Sequence, residues 1–189
     1  MKLTPKFNLS LCAAVTLLVS PAALCADFHS PKGYSMKYPS SWKMLTKTQA
    51  ATAKVLAKAD YGSMVDSDMD VMFIDPASPG VFLGVIVLPR SIPVGNEFVA
   101  KWGRSFKRGL DSAHINSDHF DCTLMHLGSH DVACAAGHIE CVRPVKHNFQ
   151  MREYVLSSAG TTYFVTCIAP PNNSFSRVFD KVVSSFKAG

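Results

Sequence analysis

Histidine side chains are concentrated in one segment of the chain. Six of the seven histidines fall between positions 114 and 147. Imidazole nitrogens bind transition metals when two or three of them converge. If this segment forms a β-hairpin, two histidines flank the turn and a third lies farther along the same strands. The residues of this hypothetical metal site are His126, His130 and His138.

The alternative interpretation is a set of unconnected surface histidines. The segment contains no His-x-His pair, no His-x-x-x-His pair on a predicted helix and no adjacent glutamate pair that would complete a ligand set. Both interpretations stay open at the level of sequence, and no other cofactor is indicated.

A second candidate site is a group of basic residues in a predicted helix. Phe98, Trp102, Phe106 and Leu110 recur every four positions and predict an apolar stripe on a helix from 97 to about 110. Four basic side chains then share a partly continuous face. They are Lys101, Arg104, Lys107 and Arg108.

This basic face is either a binding surface or an ordinary solvated helix face. A nucleic-acid partner is not expected, because the face lacks interleaved aromatic residues for stacking. The formal charge is also modest. It is +5 for the whole chain and falls to +3, 17 basic against 14 acidic residues, when Lys2 and Lys6 are removed with an N-terminal signal.

Four of the six cysteines lie beyond that N-terminal segment. An even number of cysteines in an exported protein favours two disulfides. The spacing contains no Cys-x-x-Cys pair of the kind found in zinc sites and thioredoxin-type centres. The candidate disulfide residues are Cys122, Cys134, Cys141 and Cys167.

Strand parity favours particular partners for these cysteines. If a hairpin is centred near residue 129, Cys122 and Cys134 project from the same face of neighbouring strands, and Cys141 shares a face with Cys167. One β-bulge would reverse this parity.

Established catalytic and calcium-binding patterns are missing from the sequence. Asp66, Asp68 and Asp70 alternate as in a calcium-binding loop, but the glycine that such a loop needs at its sixth position is Val71. No Gly-x-Ser-x-Gly or His-Glu-x-x-His motif is present. The sequence therefore favours a protein without catalytic activity. The alternative is a metal-dependent or thiol enzyme that uses the histidine-rich strands over 114–147.

The first 26 residues have the three parts of a secretory signal peptide. Two lysines precede an uncharged apolar run over 9–19, and small residues end the segment. The run of about 11 residues is too short to span a bilayer. We therefore expect cleavage near Ala26, export to the periplasm or the medium, and a mature chain with no transmembrane segment. Lipid attachment at Cys25 is the alternative, although Leu24 replaces the small residue that normally precedes such a cysteine.

The remaining chain, residues 27–189, is expected to form one α+β domain with a central antiparallel sheet flanked by helices. The last four predicted strands form a meander, and the strands over 69–74 and 81–88 are expected to be neighbours. Predicted strands cover 34–38, 42–45, 69–74, 81–88, 117–127, 131–142, 149–157 and 161–168, and predicted helices cover 46–59, 97–110 and 175–186.

Two segments resemble the Mog/PsbP superfamily. One is Tyr34–Trp42, which reads Tyr-Ser-Met-Lys-Tyr-Pro-Ser-Ser-Trp, and the other begins with Tyr-Phe-Val-Thr-Cys at 163–167. The second continues through a Pro/Asn loop into a helix that carries Phe175, Phe179 and Phe186. The resemblance implies an α/β/α sandwich with a central antiparallel sheet. It also implies a binding or assembly module more often than an enzyme, while the four cysteines are not part of the superfamily pattern.

The function expected from the sequence is therefore an exported, non-enzymatic binding or assembly module with a protein partner. A secreted factor directed at a host is a further alternative. Neither the partner nor the oligomeric state follows from the residues.

Overall fold

The computed structural model describes residues 24–46, 48–49, 69–112, 116–141, 147–171 and 174–188. The predicted helix over 46–59 therefore lies almost entirely outside the described residues, as do Asp66 and Asp68. The elements, in chain order, are β1 (Leu24–Ser30), β2 (Tyr34–Pro39), β3 (Lys43–Met44), β4 (Met69–Ile74), β5 (Phe82–Leu88), α1 (Asn96–Ser112), β6 (Asn116–Leu127), β7 (His130–Cys141), β8 (His147–Ser158), β9 (Thr161–Ala169), α2 (Ser174–Ser184) and β10 (Lys187–Ala188).

The main sheet has seven antiparallel strands in the order β3-β4-β5-β9-β8-β7-β6. In its meander from β6 to β9, short turns join β6 to β7 and β8 to β9. Gly128 and Gly160 adopt φ values of +62° and +79° in these turns, a conformation that costs glycine little and other residues more. The predicted meander and the neighbouring positions of β4 and β5 are confirmed.

The two helices cover opposite faces of this sheet. Successive side chains of a strand point to opposite sides, so Val155 packs with Val99 of α1 while Tyr154 packs in the cluster that contains Phe179 of α2. The apolar stripe predicted for α1 does face the sheet, and Phe98 and Trp102 stack with ring centroids 5.8 Å apart. None of the helices in the described ranges is long and apolar enough to cross a membrane.

A second, three-stranded sheet shares the α2 side of the molecule. Its strand order is β1-β2-β10, and it contributes Tyr34 and Met36 to the main core. Tyr34 stacks on Phe186, which lies two residues beyond the end of α2, with ring centroids 4.8 Å apart. This contact ties the beginning of the described chain to its end.

The predicted class, α+β with an antiparallel sheet between helices, is confirmed in its broad form. The structure is richer in strands than expected, because β1 and β10 add a small sheet where the sequence suggested only strand 34–38. Residues 24–26, which were expected to end the signal peptide, form the first part of β1.

Candidate functional site

The outer face of α1 carries the basic group expected from the sequence. Because the aromatic stripe faces the sheet, the opposite side of the helix faces solvent, and all four basic side chains are exposed. We call Lys101, Arg104, Lys107 and Arg108 together the basic helix face.

The charge of this face is only partly compensated. Glu97 Oε1 lies 2.6 Å from Lys101 Nζ in an exposed ion pair, and Asp111 is exposed on the same helix. Arg108 donates to the backbone carbonyl of Arg104 at 3.3 Å and to Ser105 Oγ at 3.4 Å. Four basic residues against two acidic ones leave an excess of two positive charges, held on a rigid helix. Exposed ion pairs stabilise a fold weakly, so these side chains can exchange partners at small cost.

Close packing fixes the position of α1 above the sheet. A Cβ atom on Gly103 would come within 2.9 Å of Cys122 Sγ and 3.0 Å of Cys122 Cβ on β6. One turn farther along the same helix, Phe106 stacks on Phe120, also on β6, with ring centroids 5.2 Å apart. The absence of a side chain at position 103 thus lets the helix sit directly against β6.

The structure does not bring the three histidines of the predicted metal site together. His126 and His130 lie beside the β6–β7 turn, whereas His138 lies eight residues along β7 from His130, about 26 Å at the rise of a strand. His126 Nδ1 is 3.2 Å from Asp131 Oδ1, and His130 Nε2 donates to the Phe186 carbonyl at 2.9 Å. Within the described ranges, no three His, Cys, Asp or Glu side chains gather closely enough to hold a metal ion.

One histidine outside the predicted trio helps to form a hollow. His119 sits in a break of the β6–β7 register between Asp118 and Asp121, with φ at +52°. With His138 it borders a hollow of about 500 Å³. The other lining residues are Ile139, Glu140, Asn148, Phe149 and Pro171. Nothing in the local sequence signals the bulge that places His119 there.

The cysteines differ from their expected state. Cys122, Cys134 and Cys167 are free thiols, so neither predicted pairing is present, and the side chain of Cys141 lies outside the described part of the chain. The hairpin is centred between Gly128 and Ser129 because Leu127 pairs with His130. The centre lies half a residue from the expected position. Residues of β6 and β7 that were expected to share a face therefore lie on opposite faces of the sheet.

The geometry also excludes a disulfide between any two of the three described thiols. Cys122 lies opposite Ala135, so it faces α1, whereas Cys134 faces the α2 side. Cys134 and Cys167 share that side, but β8 separates their strands. Two strand spacings are about 9 to 10 Å, beyond the roughly 7 Å between Cα atoms that a disulfide can bridge.

Burial makes these thiols poor nucleophiles. It raises the pKa of Cys134 to about 12 and places the pKa of Cys167 well above its ordinary value. The pKa of Cys122 is raised by burial and by the neighbouring Asp121. Since the thiolate is the reactive form, all three remain protonated near neutral pH.

Two polar groups are buried on either side of β8. Glu153 is 7% exposed beneath α1 and accepts a hydrogen bond from Thr166 Oγ1 at 2.6 Å. Burial raises the pKa of its carboxyl group to about 7, and the bond from Thr166 opposes that shift. The carboxyl group therefore stays protonated well above its usual range.

On the opposite face, an arginine, a tyrosine and an aspartate tie α2 to the sheet. Asp180 Oδ1 accepts hydrogen bonds from Tyr154 Oη at 2.7 Å and from Arg152 Nη1 at 3.0 Å. Removing one member would leave a charge or a hydroxyl group unpaired in a half-buried layer. These contacts fix the position of α2. Both polar groups, the one around Glu153 and the one around Asp180, therefore serve to hold the fold together.

Comparison with known proteins identifies the fold. No protein-family model matches the sequence, and no curated protein matches it. The structure is similar to the solution structure of cyanobacterial PsbP (CyanoP) from Synechocystis sp. PCC 6803, with a TM-score of 0.58 and 15% identity, over 90% of this chain and 100% of that one.

A crystal structure from Bacteroides thetaiotaomicron VPI-5482 is also similar, with a TM-score of 0.53 and 14% identity over 88% of this chain. The match covers 49% of the Bacteroides chain, so this chain spans about half its length. At such low identity the similarity concerns the backbone and not the site residues. The chain has a PsbP-like fold.

Proposed function

We propose that this protein is an exported, non-catalytic binding or assembly module, and that the basic helix face docks against an acidic surface of a protein partner. The observation that carries the proposal is the exposed group of four basic side chains on a helix held rigidly against the sheet. The PsbP-like fold is compatible with a binding module, although a fold does not by itself assign a function.

Electrostatics explains why such a face suits a partner. Charged groups that complement an oppositely charged surface increase the association rate and select against partners of the same charge. Within the described ranges, the partners of the basic side chains are exposed groups of their own helix, so docking does not break a buried contact there.

The alternative function, a thiol enzyme, receives little support from the described thiols. Cys134 and Cys167 are buried, Cys122 is half-buried, and the pKa of each is raised. A metal-dependent enzyme would need ligands other than the predicted trio, since His126 and His138 lie far apart along the hairpin.

Site-specific photo-crosslinking in the exporting cell tests the proposal. A photoreactive amino acid at Lys107 should yield a discrete crosslinked protein, because this position would lie in the interface. The same residue at Lys37, an exposed lysine on β2, serves as the control and should not yield that product. Equal products from both positions, or none from Lys107, would contradict the proposal.

A further inference from the structure

The edge strand β6 is the longest open edge of the main sheet. The opposite edge is β3, which has only two residues, whereas β6 has twelve. The register of β6 with β7 is interrupted between Asp118 and Asp121 and is regular from there to Leu127. Unpaired backbone groups along a regular edge are a template for another strand.

The turn determines which backbone groups of this edge face outward. In a two-residue hairpin the flanking pair, here Leu127 and His130, exchanges hydrogen bonds, and bonded pairs alternate along the ladder. Cys122, Leu124 and His126 therefore direct their N–H and C=O groups away from β7. The Cys122 N–H agrees with this assignment, since it donates to its neighbour Asp121 Oδ1 at 2.9 Å. Among the described residues, no other segment forms a backbone hydrogen bond with this edge.

The side chain at the centre of the edge is apolar and exposed. Leu124 is 38% exposed, and in the described ranges only one other large apolar side chain, Met44 at 54%, is as open to solvent. A large apolar group in the middle of an edge strand is the opposite of the charged residues and prolines that normally protect such edges.

We infer that β6 pairs with β6 of a second copy of this chain, antiparallel about a twofold axis at Leu124, and so joins two main sheets into one. This register places Leu124 against the partner's Leu124 and Cys122 against the partner's His126. The outward-facing backbone N–H and C=O groups of one copy then lie opposite the outward-facing backbone groups of the other, as an antiparallel ladder requires.

The side chains of this register are compatible with pairing. Asp121 would lie opposite the partner's Leu127 and Thr123 opposite the partner's Met125, so no two like charges face each other across the strands. Pairing would bring the two Leu124 side chains against each other and bury part of their exposed apolar surface. Self-complementary surfaces related by a twofold axis are the usual basis of homodimers. This inference does not depend on the basic helix face.

Sedimentation velocity over a concentration series tests the inference. The wild-type protein should show a monomer–dimer equilibrium, and Leu124→Glu should weaken dimerisation at least tenfold, because it would set two carboxylates against each other. The matched control is Met44→Glu, which changes the other exposed apolar side chain on the opposite edge and should leave the dimer intact. A monomer at all concentrations, or equal loss of the dimer in both variants, would overturn the inference.

Cysteine crosslinking tests the register. Paired residues of an antiparallel ladder have Cα atoms about 5.5 Å apart when hydrogen-bonded, within the range that a disulfide can span. In a Cys122→Ser background, Leu124→Cys should therefore form a disulfide-linked dimer on mild oxidation. Thr123→Cys should not, because it would face Met125 of the partner. Crosslinking of Thr123→Cys in preference to Leu124→Cys would exclude the proposed register.

Discussion

Glu153 shows how one residue can make the stability of this fold depend on pH. Its carboxyl group lies beneath α1, with Thr166 as its hydrogen-bond partner, and burial raises its pKa from 4.5 to about 7. Between these two values the unfolded chain releases the proton and the folded chain retains it. Ionisation therefore favours unfolding, and this residue lowers the free energy of unfolding as pH rises through that interval.

Glu153→Gln should remove this dependence. The amide oxygen can still accept the bond from Thr166, but the side chain no longer titrates. Urea unfolding at pH 4.5 and at pH 7.5 measures the free energy of unfolding. Between these two pH values it should fall by about 3 kcal/mol more in the wild type than in the variant. Glu97→Gln, which changes an exposed carboxylate, is the control and should behave like the wild type. Identical pH dependence in wild type and Glu153→Gln would contradict the buried, protonated state.

The thiols give a second prediction at the residue scale. In the mature chain, unfolded in denaturant without reductant, at least Cys122, Cys134 and Cys167 should react with a maleimide, because all three are free. In the folded chain Cys134 and Cys167 should be protected, since they are 2% and 0% exposed. Mass spectrometry counts the adducts. Two or fewer adducts on the unfolded chain would contradict the free thiols and would show that the disulfides expected from the cysteine count are present.

The exposed face of a helix was easier to predict from the sequence than the positions of side chains on the strands. The exposed basic face of α1 follows from a simple helical period, since the stripe that includes Trp102 determines which side faces the sheet. The prediction that Cys122 and Cys134 share a face of the sheet depended on the centre of one turn. The turn is centred half a residue away from the expected position, so the two side chains lie on opposite faces. The position of His119 beside the hollow depends on a β-bulge, and a bulge leaves no regular pattern in the sequence from which it could be predicted.

At the scale of the element, α1 contains two glycines that differ in their surroundings. A Cβ atom on Gly103 would meet Cys122, whereas one on Gly109 would meet nothing within 4 Å. Replacing glycine by alanine inside a helix normally stabilises it by about 1 kcal/mol. Only Gly109 has the space for that gain.

Gly109→Ala should therefore raise the free energy of unfolding by about 1 kcal/mol, whereas Gly103→Ala should lower it, because the helix must move away from β6. Chemical denaturation of both variants measures the difference. Equal stabilisation by the two substitutions would show that α1 does not pack closely against β6, and would also weaken the case for a rigid basic helix face.

The elements with the strongest periodicity were predicted correctly. The meander over β6–β9 and both described helices carry long, regular apolar patterns, and their bounds differ from the predicted ones by a few residues. β1 and β10 were missed. The first begins in a segment whose small residues resemble a signal-peptide end, and the second has only two residues, too few for any pattern to appear.

At the scale of the whole molecule, the described residues form one seven-stranded sheet with a helix on each face and a small sheet beside α2. The resemblance read from short aromatic motifs agrees with the structural similarity to CyanoP. Those motifs pack in the core, where Trp42 and Phe186 are 5% and 2% exposed. They therefore report the fold, and none of the residues of the basic helix face belongs to them.

The proposed function is the binding of a protein partner by the basic helix face. It is tested most directly by quantitative affinity capture from the cell envelope with two charge-reversal variants. One carries Arg104→Glu, Lys107→Glu and Arg108→Glu, and the other reverses three exposed lysines elsewhere, Lys37, Lys43 and Lys187.

Both variants change the net charge equally, so general electrostatic attraction falls equally in the two. A protein captured by the wild type should be retained by the second variant and lost by the first, and its capture should weaken as salt is raised. Retention of that protein by the α1 variant would contradict the claim.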